Sequence, residues 1–126
     1  MSQPERRKGA RILVVEDNLM MAEVICDYLL SHELVPVGPA ARIDSACDLA
    51  RQADLDAAIV DIKLAGRFSF PICSILAERS IPYIFLTGFD ELSVIPSALR
   101  EAPLLSKPFR EADMDAALEN VLNQRR

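Results

Sequence analysis

Five short apolar runs punctuate the chain, with helical periodicities in the gaps between them. The runs are Arg11 to Glu16 (RILVVE), Leu34 to Gly38 (LVPVG), Ala57 to Asp61 (AAIVD), Tyr83 to Thr87 (YIFLT) and a weaker Leu104 to Ser106 (LLS). The strongest are continuous rather than alternating, the pattern of strands buried on both faces of a parallel sheet. After the first run, Asn18 is placed to cap a helix from about Leu19 to Ser31, with Met21, Val24, Ile25, Tyr28 and Leu29 along one stripe. Ala46, Leu49, Ala50 and Ala53 mark a second helix. Pro71 suits the first turn of a third, which runs through Ile75 and Leu76 to about Arg79. Met114, Ala117, Leu118, Val121 and Leu122 form the apolar face of a last helix from about Arg110 to Asn123. The stretch DELSVIPSALREAP carries Pro96 in its middle and allows at most a short or broken fourth helix.

Regular alternation of strand and helix predicts an α/β fold, a five-stranded parallel sheet with helices on both faces. In such sheets ligands gather at the carboxyl ends of the strands. Glu16 and Asp17 end the first strand, Asp61 the third and Thr87 the fourth, and Lys107 follows the fifth. The topology therefore gathers five polar residues, far apart in sequence, at one sheet edge.

Two carboxylates 4 Å apart repel by about 4 kcal/mol at an effective dielectric near 20, so a cluster of three calls for a cation. An oxygen-rich pocket of this kind suits Mg²⁺. Asp61 is placed to act as a carboxylate nucleophile that accepts a phosphoryl group. The added negative charge would be met by the metal and Lys107, and Thr87 offers a hydroxyl to a phosphoryl oxygen. Gly88 leaves room for the group to enter, and Pro108 restricts the backbone of Lys107 to an extended form. Taken singly, each residue has a plainer role: Asp61 a turn cap, Thr87 a β-branched strand end, Lys107 a surface charge.

Composition narrows the field. With 126 residues, 51% of them hydrophobic and 26% charged, the chain fits one domain with a substantial core. That domain is expected over 11–126, after a flexible, solvated arm over 1–10 that holds most of the basic cluster RRKGAR. A net charge of -5 argues against a nucleic-acid binder. No run approaches the ~20 apolar residues of a membrane span, and the start lacks the apolar segment of a secretory signal, so a cytoplasmic protein is expected. Cys26, Cys47 and Cys73, with no CxxC or Cys/His spacing, read as small core thiols. His32, the single histidine, reads as a solvated helix terminus and Phe109 as an anchor for the last helix. Phe68 and Phe70 beside Asp61 fit either loop packing or a docking patch.

The segments ILVVEDN, AAIVDIKLAG, YIFLTGFD and LLSKPF stand in the order and spacing of the receiver domain of bacterial response regulators, which this chain resembles over nearly its whole length. The resemblance implies a flavodoxin-like (βα)5 fold with strand order 2-1-3-4-5. It implies Asp61 as phosphoacceptor, and Asp17, Asp61 and the Lys63 backbone carbonyl as metal ligands, with Glu16 holding the metal through water. Thr87 and Lys107 would be the phosphate-sensing hydroxyl and lysine, with a cis Lys107-Pro108 bond. PYIFLTGF, Pro82 to Phe89, also resembles the signature of the FAT GUY receivers, with Leu86 in place of its Ala. IKLAGRFSFP likewise resembles that subgroup rather than the Met-Pro-x-x-Asp-Gly loop of ordinary receivers. Many such proteins are single receivers served by histidine kinases of the HWE and HisKA2 types.

Leu104 stands where ordinary receivers carry a switch aromatic, so the output surface is expected to differ, with phosphorylation ordering the 89–103 segment. Lys63 and Phe89 flank the expected path of the hydrolytic water. The expected function is a phosphoryl-accepting signalling switch or carrier that acts through protein contacts, with no DNA-binding output domain. A Mg²⁺-dependent phosphohydrolase would want a second carboxylate where Lys63 stands, and a nuclease-like site an Asp-x-Asp pair that DIK lacks. An interaction module that is never phosphorylated is the third alternative.

Overall fold

The computed structural model describes residues 8–88, 96 and 102–124. In chain order the elements are β1 (Arg11–Val15), α1 (Leu19–Ser31), β2 (Val35–Ala40), α2 (Ile43–Gln52), β3 (Ala57–Asp61), β4 (Lys63–Leu64), β5 (Arg67–Phe68), α3 (Phe70–Glu78), β6 (Tyr83–Thr87), β7 (Leu104–Ser106) and α4 (Glu111–Gln124). Five strands form one sheet in the order β2-β1-β3-β6-β7, with every pairing parallel. In terms of the five anticipated strands this is the order 2-1-3-4-5.

Continuous apolar strands bury both faces because successive side chains point to opposite sides. Leu13, Val15, Ala58, Val60 and Phe85 pack on one side with Ala46, Cys47 and Ala50 of α2 and Ile72, Cys73 and Leu76 of α3. Ile12, Val14, Ala57, Ile59, Ile84 and Leu86 pack on the other with Ile25 and Leu29 of α1 and Met114, Leu118 and Val121 of α4. Each Val, Leu, Ile, Phe or Met among them contributes roughly 1.5–3 kcal/mol by leaving water. Arg79, just past α3, donates from its guanidinium to the carbonyls of Ala50 at 2.7 Å and Ala53 at 2.8 Å. It thereby satisfies acceptors that the C-terminus of α2 leaves open.

Several boundaries and faces differ from expectation. β2 runs to Ala40 rather than stopping at Gly38, because the register with β1 shifts between Leu13 and Val15. Gly38 makes the shift possible: its φ is +105°, and a Cβ there would lie 2.9 Å from the Ala40 nitrogen and 3.0 Å from the Val14 carbonyl. The extension brings the Ala40 carbonyl 3.0 Å from the Glu16 N–H and so ties down the exit of β1. On α1 the buried residues are Ala22, Ile25, Tyr28 and Leu29, while Val24 is 53% exposed. α2 begins at Ile43, three residues before the first apolar position of its expected stripe.

The β4–β5 hairpin was not anticipated, since two-residue strands are too short to carry a period. Lys107-Pro108 is cis, as the resemblance implied, and so is Gly38-Pro39. The doubtful fourth helix and the switch over 89–103 lie largely outside the described residues, as do Phe89 and positions 1–7 of the expected arm. The remaining arm residues lie against the domain: the Gly9 N–H donates to the Glu33 carbonyl at 2.8 Å, Lys8 pairs with Glu33 at 3.2 Å, and Ala10 is buried. Among the described residues no helix is long and apolar enough to cross a membrane.

Candidate functional site

The carboxyl ends of β1, β3, β6 and β7 lie side by side and carry the five anticipated residues. Val15 is in register with Val60, Asp61 with Leu86, and Thr87 with Ser106. The Lys107 N–H donates to the Thr87 carbonyl at 3.1 Å, so the lysine leaves the sheet where β6 ends. Its ammonium reaches across to Asp61 and lies 3.0 Å from both carboxylate oxygens. The same nitrogen is 4.0 Å from Glu16 Oε1. Each of Glu16, Asp17 and Asp61 offers an oxygen within 4.8 Å of the others.

Burial divides the three acids. Glu16 and Asp61 are about 1% exposed, whereas Asp17 sits at the surface. Glu16 Oε2 accepts from the Asn18 N–H at 3.1 Å, while Oε1 has no hydrogen-bond partner among the described residues. Burial, with the Asp61 charge adding to it, pushes the Glu16 carboxyl up to about 7, against the opposing pull of the Asn18 N–H and Lys107. A buried carboxylate oxygen without a donor is costly, and a hard cation held by Asp61 and Asp17, through one of its waters, would satisfy it. The donor set therefore fits a divalent ion with oxygen preference.

Thr87 is buried at the end of β6, and its hydroxyl donates to the Gly88 carbonyl at 2.9 Å. Lys63 opens β4, two residues past Asp61, and its ammonium lies 5.6 Å from the centre of the Phe68 ring. Phe68 stacks on Phe70 with centroids 5.4 Å apart, and Phe70 meets Phe85 edge-on at 6.3 Å. The pair thus joins the exposed hairpin to the core and serves as loop packing, with Phe68 still 40% exposed.

Two supporting contacts were not foreseen. The Ala65 N–H, at the hairpin tip, donates to Asp17 Oδ2 at 2.8 Å. The Ser69 N–H and hydroxyl both donate to the Ile62 carbonyl, at 2.8 and 3.0 Å, and close the hairpin behind Asp61. Both rest largely on backbone groups, which residue type does not advertise; the one available signal was Gly66, a residue that turns favour.

Elsewhere, Asn18 caps α1 as expected, its Oδ1 accepting from the Met21 N–H at 2.9 Å. His32 does more than end α1 in solvent. Its Nδ1 lies 2.9 Å from the Tyr28 carbonyl and its Nε2 3.5 Å from Asp115 Oδ1, and the Tyr28 hydroxyl donates to the same carboxylate. These contacts join α1 to α4, which its place beside Asp115 makes possible. Phe109 packs on Tyr28 edge-on at 6.1 Å, in keeping with an anchoring role. The three cysteines are free thiols, and burial raises each, Cys73 to about 12, so none is poised to react.

A family model described as the response regulator receiver domain matches residues 12–119. The sensory transduction protein LytT of Bacillus subtilis (strain 168) is 26% identical over 113 residues, covering 86% of this chain and 46% of LytT. The chain spans about half the length of the curated relatives it matches. Among solved structures, the solution structure of SdrG from Sphingomonas melonis Fr1 has a TM-score of 0.81 at 34% identity, covering 90% of this chain and 97% of SdrG. The BeF3-activated conformation of SdrG from Pseudomonas melonis Fr1 has a TM-score of 0.75 at 34% identity, covering 89% of this chain and 95% of that one.

Proposed function

The chain belongs to the response regulator receiver domain family, and from that premise we propose that it is a phosphorylation switch whose Asp61 accepts a phosphoryl group from a sensor histidine kinase. The observation that carries this reading is the Lys107 ammonium, 3.0 Å from both oxygens of an Asp61 carboxylate that is buried beside Glu16 and Asp17. A buried nucleophile with an ammonium over both its oxygens and two further acids at its side is arranged for charge transfer onto a fixed point.

An Asp61 oxygen attacks phosphorus, the phosphorus–nitrogen bond to the kinase imidazole breaks, and its electron pair stays on that nitrogen. Asp17, Asp61 and the Lys63 backbone carbonyl would hold a Mg²⁺, with Glu16 supporting it through water, and the bound ion would supply neutralising charge for the phosphoryl oxygens. Lys107 follows the charge from the carboxylate to the phosphoryl group, and the Thr87 hydroxyl turns from the Gly88 carbonyl to a phosphoryl oxygen. Lys63, exposed at the mouth, tunes access of the water that later hydrolyses the acyl phosphate. A carboxylate at that position would favour a phosphohydrolase; the lysine does not.

The donor docks on α1. Leu19, Met20 and Val24 are 83%, 78% and 53% exposed. A groove of about 440 Å³ between α1 and Pro108 leads to Lys107 and is lined by Asn18, Met20, Met21, Val24, Lys107 and Pro108. Such a surface suits an amphipathic kinase helix that delivers its histidine to Asp61. The resemblance of Pro82 to Phe89 to the FAT GUY signature favours a kinase of the HWE or HisKA2 type. We take residues 11–126 as a cytoplasmic receiver unit that acts through contacts with a downstream protein or a phosphotransfer protein. The existence of a BeF3-activated form of SdrG supports the same chemistry here.

Intact-mass spectrometry after incubation with acetyl phosphate tests the reading. A single Mg²⁺-dependent phosphoryl adduct, absent from Asp61→Asn, is expected. Failure to form it with both acetyl phosphate and a competent histidine kinase overturns the proposal in favour of a passive interaction module.

A further inference from the structure

The β4–β5 hairpin reaches back to the acidic site through one bond. Lys63 pairs with Phe68 and Leu64 with Arg67, which leaves Ala65 and Gly66 as a two-residue loop. Their φ angles are +51° and +80°, the signature of the type I′ turn that matches the twist of a hairpin. Glycine adopts this conformation freely and alanine does not, yet Ala65 holds it. The conformation aims the Ala65 N–H at Asp17 Oδ2, 2.8 Å away, across 48 residues of sequence. Asp17 is exposed, so without that donor its side chain would be free to turn among rotamers.

We propose that the Ala65-Gly66 turn positions the Asp17 carboxylate for a divalent cation, with Oδ2 held by the Ala65 N–H and Oδ1 left for the ion. The inference rests on the reading of Glu16, Asp17 and Asp61 as a metal site. Ala65 and Gly66 are positioning residues: they touch neither the ion nor the phosphoryl group and act through Asp17. A carboxylate already fixed in the ligating rotamer loses less freedom on binding, so the turn raises affinity by preorganisation. By linkage the effect is reciprocal, and a bound ion holds the hairpin tip closed.

Gly66 is where the device can be broken without crowding, because a Cβ there has nothing within 4 Å. Any effect of a side chain at 66 therefore comes from the turn it must adopt. Calorimetric titration of the full chain with Mg²⁺ should show binding five- to tenfold weaker in Gly66→Val, whose branched side chain resists positive φ. Gly66→Asn, which tolerates that conformation, should stay within twofold of the parent, and both variants should melt as cooperatively as the parent. Equal affinity in Gly66→Val and the parent overturns the inference, as does equal weakening in both variants. Amide exchange of the unmutated protein gives a second readout that does not depend on either variant folding. Mg²⁺ should slow exchange at Ala65, and unchanged exchange at saturating Mg²⁺ overturns the inference. If the parent itself binds no Mg²⁺, it is the metal-site reading that fails.

Discussion

Glu16 is the residue whose energetics are least comfortable. It is buried next to Asp61, with one carboxylate oxygen accepting from the Asn18 N–H and the other without a hydrogen-bond partner among the described residues. Its folded-state value of about 7 lies above the ordinary 4.5, because burial and the Asp61 charge favour the neutral acid. Between those two values the folded chain holds a proton that the unfolded chain has released. The stability of the metal-free protein should therefore fall as pH rises from about 4.5 to 7, level off above that, and lose roughly 3 kcal/mol in all from this one group. Urea titrations in EDTA at pH 5 and pH 8 measure the difference. Glu16→Gln, which cannot ionise, should remove most of it; an undiminished dependence in that variant would assign the titration to another group. The cost is borne because a carboxylate that is uncomfortable alone is a better partner for a cation than one already satisfied by water.

Among the elements, α1 carries more apolar surface than its packing uses. Leu19, Met20, Met21, Ala22, Val24, Ile25, Tyr28, Leu29 and Leu30 wrap most of the helix, while burial selects Ala22, Ile25, Tyr28 and Leu29. This is why the sequence pattern put Val24 on the buried stripe: a helix apolar on both sides has no clear phase, and only its packing on the sheet decides which side faces in. The surplus side flanks the groove beside Lys107, the surface proposed above to receive the donor. Val24→Asp should cost under about 0.5 kcal/mol of stability, as exposed positions do. It should slow phosphotransfer from the cognate kinase by about tenfold while leaving the rate with acetyl phosphate unchanged. Parallel assays with the two donors separate these effects, and equal loss with both would place Val24 in the chemistry instead of the docking. The hairpin presents the opposite case. β4 and β5 are two residues each, and the donor they contribute is the backbone of Ala65, so no pattern of residue types could reveal its bond to Asp17. The five sheet strands were legible because each is an apolar run, and the site was legible because its acids, hydroxyl and lysine end those runs. Their supporting contacts were not, because backbone N–H groups and a register shift at Gly38 leave little trace in composition.

At the scale of the whole molecule, the site is the seam that joins both halves of the core. Ile12 and Val14 belong to the layer under α1 and α4, Leu13 and Val15 to the layer under α2 and α3, and Glu16 follows directly from both. Asp61 likewise ends a strand that is buried on its two faces, and Lys107 ties the outer strand back across to it. Unfolding must therefore separate Asp61 from the adjacent Glu16 and Asp17, and a cation that needs all three binds the folded chain alone. Mass action then sets the size of the effect: at one hundred times its dissociation constant, Mg²⁺ adds about 2.7 kcal/mol. For a domain of 126 residues that should raise Tm by roughly 10 °C. Differential scanning calorimetry with and without Mg²⁺ at constant ionic strength checks it. The increment should shrink in Asp17→Asn, where a neutral amide replaces a charged oxygen ligand, and should be smaller at pH 5.5, where a proton on Glu16 competes with the ion. A rise that Asp17→Asn fully retains would mean that Mg²⁺ acts elsewhere on this acidic surface, screening its net charge of -5 rather than filling the site.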